Sequence, residues 1–154
     1  MACMKILEQT SSSKIFNERV EAAMVIKSID HVVITVSDIE RTLDFYVNGL
    51  GMSLINKEGR IALGFGHQKI NIHRKKAEYT PAARQVTIGS MDICFIAKGD
   101  IHEIKGELER KGLIIELGVV QRTGACGPMD SVYLRDPDGN LIEISVYQTE
   151  RKQT

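Results

Sequence analysis

The run Ser131-Val132-Tyr133-Leu134-Arg135-Asp136-Pro137-Asp138-Gly139-Asn140-Leu141-Ile142-Glu143-Ile144-Ser145-Val146 reads as two strands and the turn between them. Around Asp136-Pro137-Asp138-Gly139 the side chains alternate with the period of two expected of a strand that buries one face. Proline presets the first turn angle and glycine takes the left-handed position, so these residues make a tight connection. Val132, Leu134, Ile142, Ile144 and Val146 share one face. Ser131, Tyr133 and Arg135, with Leu141, Glu143 and Ser145 on the next strand, share the other.

Working back from that hairpin, a strand is expected at about 114–120. Before it lies a helix with Asp100 as its cap, Glu103 placed to reach back, and Ile101, Ile104 and Leu108 on one side. Gly112 ends the helix, and Met91 to Ile96 supply a strand ahead of it. The order is βαβββ. The first half repeats it. Ile29 to Val36 is β-branched and apolar, hence a strand. Ser37 and Asp38 are capping residues, and Ile39, Leu43, Tyr46, Val47 and Leu50 follow at helical spacing up to Gly51. Strands at about 52–57, 60–65 and 69–75 come next, the last two joined at Gly66-His67-Gln68.

The spacing from His31 to Gly51 equals that from Asp92 to Gly112, 20 residues each. The expected fold is therefore α+β, one domain over 26–149 with modules at about 26–76 and 88–149 and helices on the outer face of a mixed sheet. The second module is longer, and the excess falls around Arg122 to Pro128, read as a glycine-rich lid or substrate clamp. Residues 1–25 read as a tail or loosely docked helix, and 150–154 as a second tail.

The polar sides of the strands line a cleft. Four of their residues are metal-ligand types: His31, His73, Asp92 and Glu143. Imidazoles and carboxylates together suit one divalent Ni, Zn, Mn, Co or Fe ion. Three protein ligands would leave positions open for substrate or water. Glu143 and Asp92 are candidate proton-transfer groups. Arg122, Arg135 and Arg60 are the cations placed to hold an anionic group, and Tyr133 can donate a hydrogen bond.

Composition narrows the rest. The 20 basic and 20 acidic residues cancel, leaving no basic stripe for nucleic acid. No apolar run is long enough to span a membrane, and no secretory signal is evident, so a cytoplasmic location is expected. Cys3, Cys94 and Cys126 form no CxxC pair, which fits reduced thiols better than a structural zinc site.

Four segments carry a family resemblance: Ile29-Asp30-His31-Val32, Phe45-Tyr46 with Leu50-Gly51-Met52, Lys69-Ile70-Asn71-Ile72-His73, and Tyr133 to Glu143 with its Asp-Pro-Asp-Gly-Asn turn. Through them, residues 26–149 resemble the glyoxalase/bleomycin-resistance/extradiol-dioxygenase superfamily, the vicinal oxygen chelates. Arg122-Thr123-Gly124-Ala125 with Gly127-Pro128 narrows the likeness to the small glyoxalase-domain-containing proteins of the domain-5 type and their bacterial relatives.

The resemblance implies a curved, partly open barrel-like sheet with metal in its concave face, held by His31, His73 and Glu143, with Asp92 at the first strand of module two. It also implies a homodimer. By analogy, His31 and His73 of one subunit would meet Glu143 of the other. Glyoxalase I offers glutamate at the position of His73 and histidine or glutamine at that of Asp92, so the sequence departs from it there. The leading expectation is a metal-dependent lyase or isomerase acting on a small oxygenated substrate. The alternatives are an Fe(II) dioxygenase, a fosfomycin-type resistance enzyme, and a non-catalytic drug- or metabolite-binding protein.

Overall fold

The computed structural model describes residues 24–148. The N-terminal segment lies outside them but for Met24 and Val25, and the tail at 150–154 lies outside them altogether. The elements are β1 (His31–Thr35), α1 (Ile39–Leu43), which runs on as a π-helical segment over Asp44–Gly49, β2 (Ser53–Lys57), β3 (Arg60–Phe65), β4 (Gln68–His73), β5 (Asp92–Ile96), α2 (Ile101–Arg110), β6 (Ile115–Gly124), β7 (Gly127–Arg135) and β8 (Leu141–Tyr147). Among the described residues, no helix is long and apolar enough to cross a membrane.

The strands form two open sheets, ordered β1-β4-β3-β2 and β5-β8-β7-β6. In each, the first strand pairs parallel with the last, and the other neighbours are antiparallel. The βαβββ repeat is thus present in strand order and in strand sense.

Local chemistry sets the helices. The Asp38 carboxylate accepts from the Arg41 N–H at 3.0 Å, and that of Asp100 from the His102 N–H at 2.8 Å. Each satisfies an otherwise orphaned N-terminal donor. The first helix widens at Asp44, where the Leu50 N–H reaches back five residues to the Phe45 carbonyl at 3.0 Å. Adjacent Phe45 and Tyr46 are both buried there.

One apolar cluster joins the modules. Ile34, Leu63, Ile70 and Ile72 of the first sheet pack into it with Val132, Leu134, Ile142 and Ile144 of the second, and with Tyr46, Ile101 and Leu108 from the helical layers. Each such aliphatic side chain contributes about 1.5–3 kcal/mol when fully buried.

The Asp136–Asn140 turn ties the modules together. The buried Asp136 carboxylate accepts from the Tyr46 hydroxyl at 2.9 Å, the Asn140 side-chain amide at 2.7 Å, and the N–H groups of Asn140 and Asp138 at 2.9 and 3.0 Å. Asp138 accepts from the Ser37 N–H at 3.1 Å and from its hydroxyl. The Asn140 side-chain oxygen accepts from the Met91 N–H at 2.8 Å. Burial, and then the facing Asp136 carboxylate, push the Tyr46 phenol far above its ordinary range. It therefore stays a donor.

Gly89 lies against the same turn with φ +74°, and a Cβ there would sit 2.4 Å from the Asp138 carbonyl oxygen. Gly89→Ala is expected to cost about 2 kcal/mol or more, through clash and left-handed strain together. Chemical denaturation would measure it.

Two sequence readings change. The stretch around Arg122 to Pro128, expected as a glycine-rich lid or substrate clamp, is a regular hairpin rather than a loop. β6 and β7 continue in register out to Gly124 opposite Gly127, which makes it the tip of a long hairpin. Cross-strand backbone pairing extends further than the glycine-rich composition suggests. As for the thiols, Cys94 is free and Cys126 is disulfide-bonded, so among the described residues, which do not include Cys3, the reduced state holds for Cys94 alone.

Candidate metal centre

The core occupies the helix-bearing side of each sheet, and the opposite faces are open. On β1, His31 and Val33 point away from the core, and on β5 so do Asp92, Cys94 and Ile96. Val33 and Ile96 are about half exposed, at 49% and 50%. Both strands are sheet edges with no partner on one side. Exposed apolar groups on unpaired edges ordinarily mark a surface that another element covers.

The candidate residues fall in matching places on the two open faces. His31 opens β1 and Asp92 opens β5. In the parallel registers His31 stands beside Lys69 and Asp92 beside Leu141. Two residues further on, Asn71 and Glu143 occupy equivalent positions. His73 lies beside Thr35, four strand residues from the level of His31, or about 13 Å along the sheet. Among the described residues, no three His, Cys, Asp or Glu side chains come together closely enough to hold a metal ion. A single chain thus presents the ligand types on two separate faces.

His31 is prepared on one side. Its Nδ1 lies 2.7 Å from an Asp30 carboxylate oxygen, so with the proton on Nδ1 the Nε2 lone pair is free. A carboxylate holding the second ring nitrogen is the usual support of a metal-ligating histidine. The contact holds the Asp30 carboxyl below its ordinary value. Glu143, half-buried at the middle of β8, stands between Cys94 on β5 and Tyr133 on β7. The fully buried Ser145 hydroxyl lies 3.2 Å from its Oε1 and 2.7 Å from that of Ser131. These polar supports, together with the imidazole and carboxylates, fit a borderline divalent ion.

The arginines differ from one another. Arg122 donates from Nε to the Tyr133 hydroxyl at 2.9 Å, and its guanidinium carbon lies 5.3 Å from the centre of that ring. Arg60 sits over the Tyr79 ring at 4.7 Å, and Tyr79 meets His73 edge-on at 5.1 Å. Arg135, expected to bind substrate, is engaged by Glu116, whose carboxylate accepts two bonds at 2.8 and 3.0 Å. That pairing draws the Glu116 carboxyl below its ordinary value. Tyr79 escaped the sequence reading because it lies in the connector before β5, outside any periodic pattern.

Burial raises the Cys94 thiol above its ordinary value, and Glu143 and Asp92 add to this, against a lowering hydrogen bond from Ser145. Its thiolate fraction near neutrality is correspondingly small. Iodoacetamide should therefore label Cys94 more slowly than a model thiol at pH 8, and faster in Glu143→Gln, where one negative neighbour is gone. Peptide mass spectrometry over a pH series would read both rates.

Residues 28–144 match the model of the Glyoxalase/Bleomycin resistance protein/Dioxygenase superfamily, and the chain belongs to that superfamily. It is 50% identical over 125 residues to virulence protein STM3117 of Salmonella typhimurium, covering 80% of this chain and 87% of that one. It is 45% identical over 134 residues to the glyoxalase domain-containing protein RDO1 of Mycosarcoma maydis, covering 86% and 76%. An integron cassette protein of V. cholerae superposes with a TM-score of 0.78 at 48% identity, covering 81% and 98%. A lactoylglutathione lyase from Agrobacterium tumefaciens and the antibiotic binding protein TnmS3 from Streptomyces, at 22% and 20% identity, share the fold alone.

Proposed function

We propose that the protein is a metal-dependent lyase or isomerase of the glyoxalase kind, acting in the cytoplasm on a small oxygenated substrate as a homodimer. The first module of one copy would face the second module of the other. The single observation that carries this reading is the division of the ligand-type residues between two open sheet faces that one chain does not bring together. A two-fold axis that brings these faces together makes two equal sites.

The ligand set assigned here is His31 from one copy with Asp92 and Glu143 from the other. His73, further along β4, is assigned to the substrate side. A divalent ion bound there supplies charge that stabilises an oxyanion developing on a substrate with adjacent oxygens. Glu143 is the group assigned to move a proton, with the Ser145 hydroxyl donating to its Oε1. Tyr133 and Arg122 orient the substrate's polar end.

Elemental mass spectrometry of protein purified without added metal or chelator tests the reading. The expected result is close to one Ni, Zn, Mn, Co or Fe per chain, lost in Glu143→Ala. Protein that neither carries nor takes up any of these ions would overturn the metal centre in favour of a metal-free binding protein.

A further inference from the structure

Each module carries one arginine laid on a tyrosine beside a candidate site residue. In the first, Arg60 lies on Tyr79, and Tyr79 touches His73. In the second, Arg122 lies on and bonds to Tyr133, the register partner of Glu143. Neither guanidinium is paired with a carboxylate among the described residues. Arg135, Arg74 and Lys105, by contrast, are paired. An aromatic face holds a guanidinium in a set orientation without neutralising it. The Arg60 fork therefore stays available to an anion, while Arg122, whose Nε donates to Tyr133 and whose Nη1 donates to the Gln121 carbonyl at 2.9 Å, keeps its Nη2 group for one.

Charge gives the same indication. In the proposed site the two charges of a divalent ion balance those of Asp92 and Glu143. Nearby, Asp30 is held by His31, and Glu116 is paired with Arg135. Arg60 and Arg122 then add two positive charges that no carboxylate among the described residues pairs with. Lys57, opposite Arg60 on the outer strand, has the same sign. A cleft carrying two excess positive charges favours a ligand with two negative ones.

We infer that the substrate is a small dianion with an acidic group at each end, one held by Arg60 on its Tyr79 platform and the other by Arg122 on Tyr133. This rests on the proposed facing of the two modules. It adds Tyr79 as a residue that determines specificity, acting through Arg60 and His73. The ring is the part of Tyr79 in use, since the contacts are a stacked guanidinium and an edge-on imidazole.

Calorimetry on the metal-loaded protein tests it, with malonate, malate and 2-hydroxyglutarate as dianions of increasing length, lactate as a monoanion and glycerol as a neutral probe. At least one dianion should bind about tenfold or more tighter than lactate, and glycerol weakest. Arg60→Gln and Arg122→Gln should each remove about that tenfold preference. Tyr79→Phe should keep it, whereas Tyr79→Leu should weaken dianion binding about threefold. A preference under threefold for every dianion, or an Arg60→Gln protein that binds them as wild type does, overturns the inference. Metal content measured on the same samples separates the two readings. Metal present without dianion selectivity sinks this inference alone, and selectivity without metal sinks the metal centre alone.

Discussion

Mixing His31→Ala protein with Glu143→Ala protein is expected to restore metal binding that neither protein has alone. In a dimer whose sites each combine the first module of one copy with the second of the other, a mixed dimer concentrates both defects in one site. The other site receives His31 from one chain and Glu143 from its partner, both intact. Random exchange in an equal mixture makes about half the dimers mixed, so about one site in four recovers. Each parent should lose metal affinity by more than about 100-fold, since changes to groups that merely support a ligand already cost 10–100-fold. Subunit exchange in mild denaturant, followed by dialysis and elemental analysis, would read the recovery. No recovery from a mixture shown by native mass spectrometry to contain mixed dimers would mean that sites form within a chain, or not at all.

The second large effect lies away from the cleft. Asp136→Ala is expected to cost about 4 kcal/mol. It deprives the Tyr46 hydroxyl, the Asn140 amide and two backbone N–H groups of one buried acceptor. For a domain of this size that is a fall in Tm on the order of 15 °C. Tyr46→Phe removes a single donor and should cost about 1 kcal/mol. Urea unfolding of both variants would test the ranking. Equal losses would show that the carboxylate's other bonds contribute little.

Much of the fold could be read from the chain because its signals are local. Alternation in β8 and β1, the caps Asp38 and Asp100, and the Asp-Pro-Asp-Gly turn all act within a few residues. Among the described residues, they located the two helices and the eight strands to within a few residues. What escaped depends on partners distant in sequence. The level of His73 relative to His31 follows from the parallel register of β1 and β4, which alternation does not determine. The pairing of Arg135 with Glu116 joins residues 19 apart on neighbouring strands. The hairpin tip at Gly124–Gly127 needed the pairing of β6 with β7. Residue types alone indicated His31, His73, Asp92 and Glu143 as candidates, but not their separation onto two faces. That separation depends on how the modules dock.

The Asp136–Asn140 turn also bears on how such chains are recognised. It is the most distinctive stretch of the sequence, and its side chains are spent on joining Tyr46, Ser37 and Met91 to one corner of the molecule. None of those bonds involves His31, Asp92 or Glu143. A descendant that lost Glu143 would keep this weld and the same ancestry in any similarity search, while its reactivity drifted. Kinship read from this motif therefore dates the architecture, and what a given member does must be read a few residues away, on the open faces.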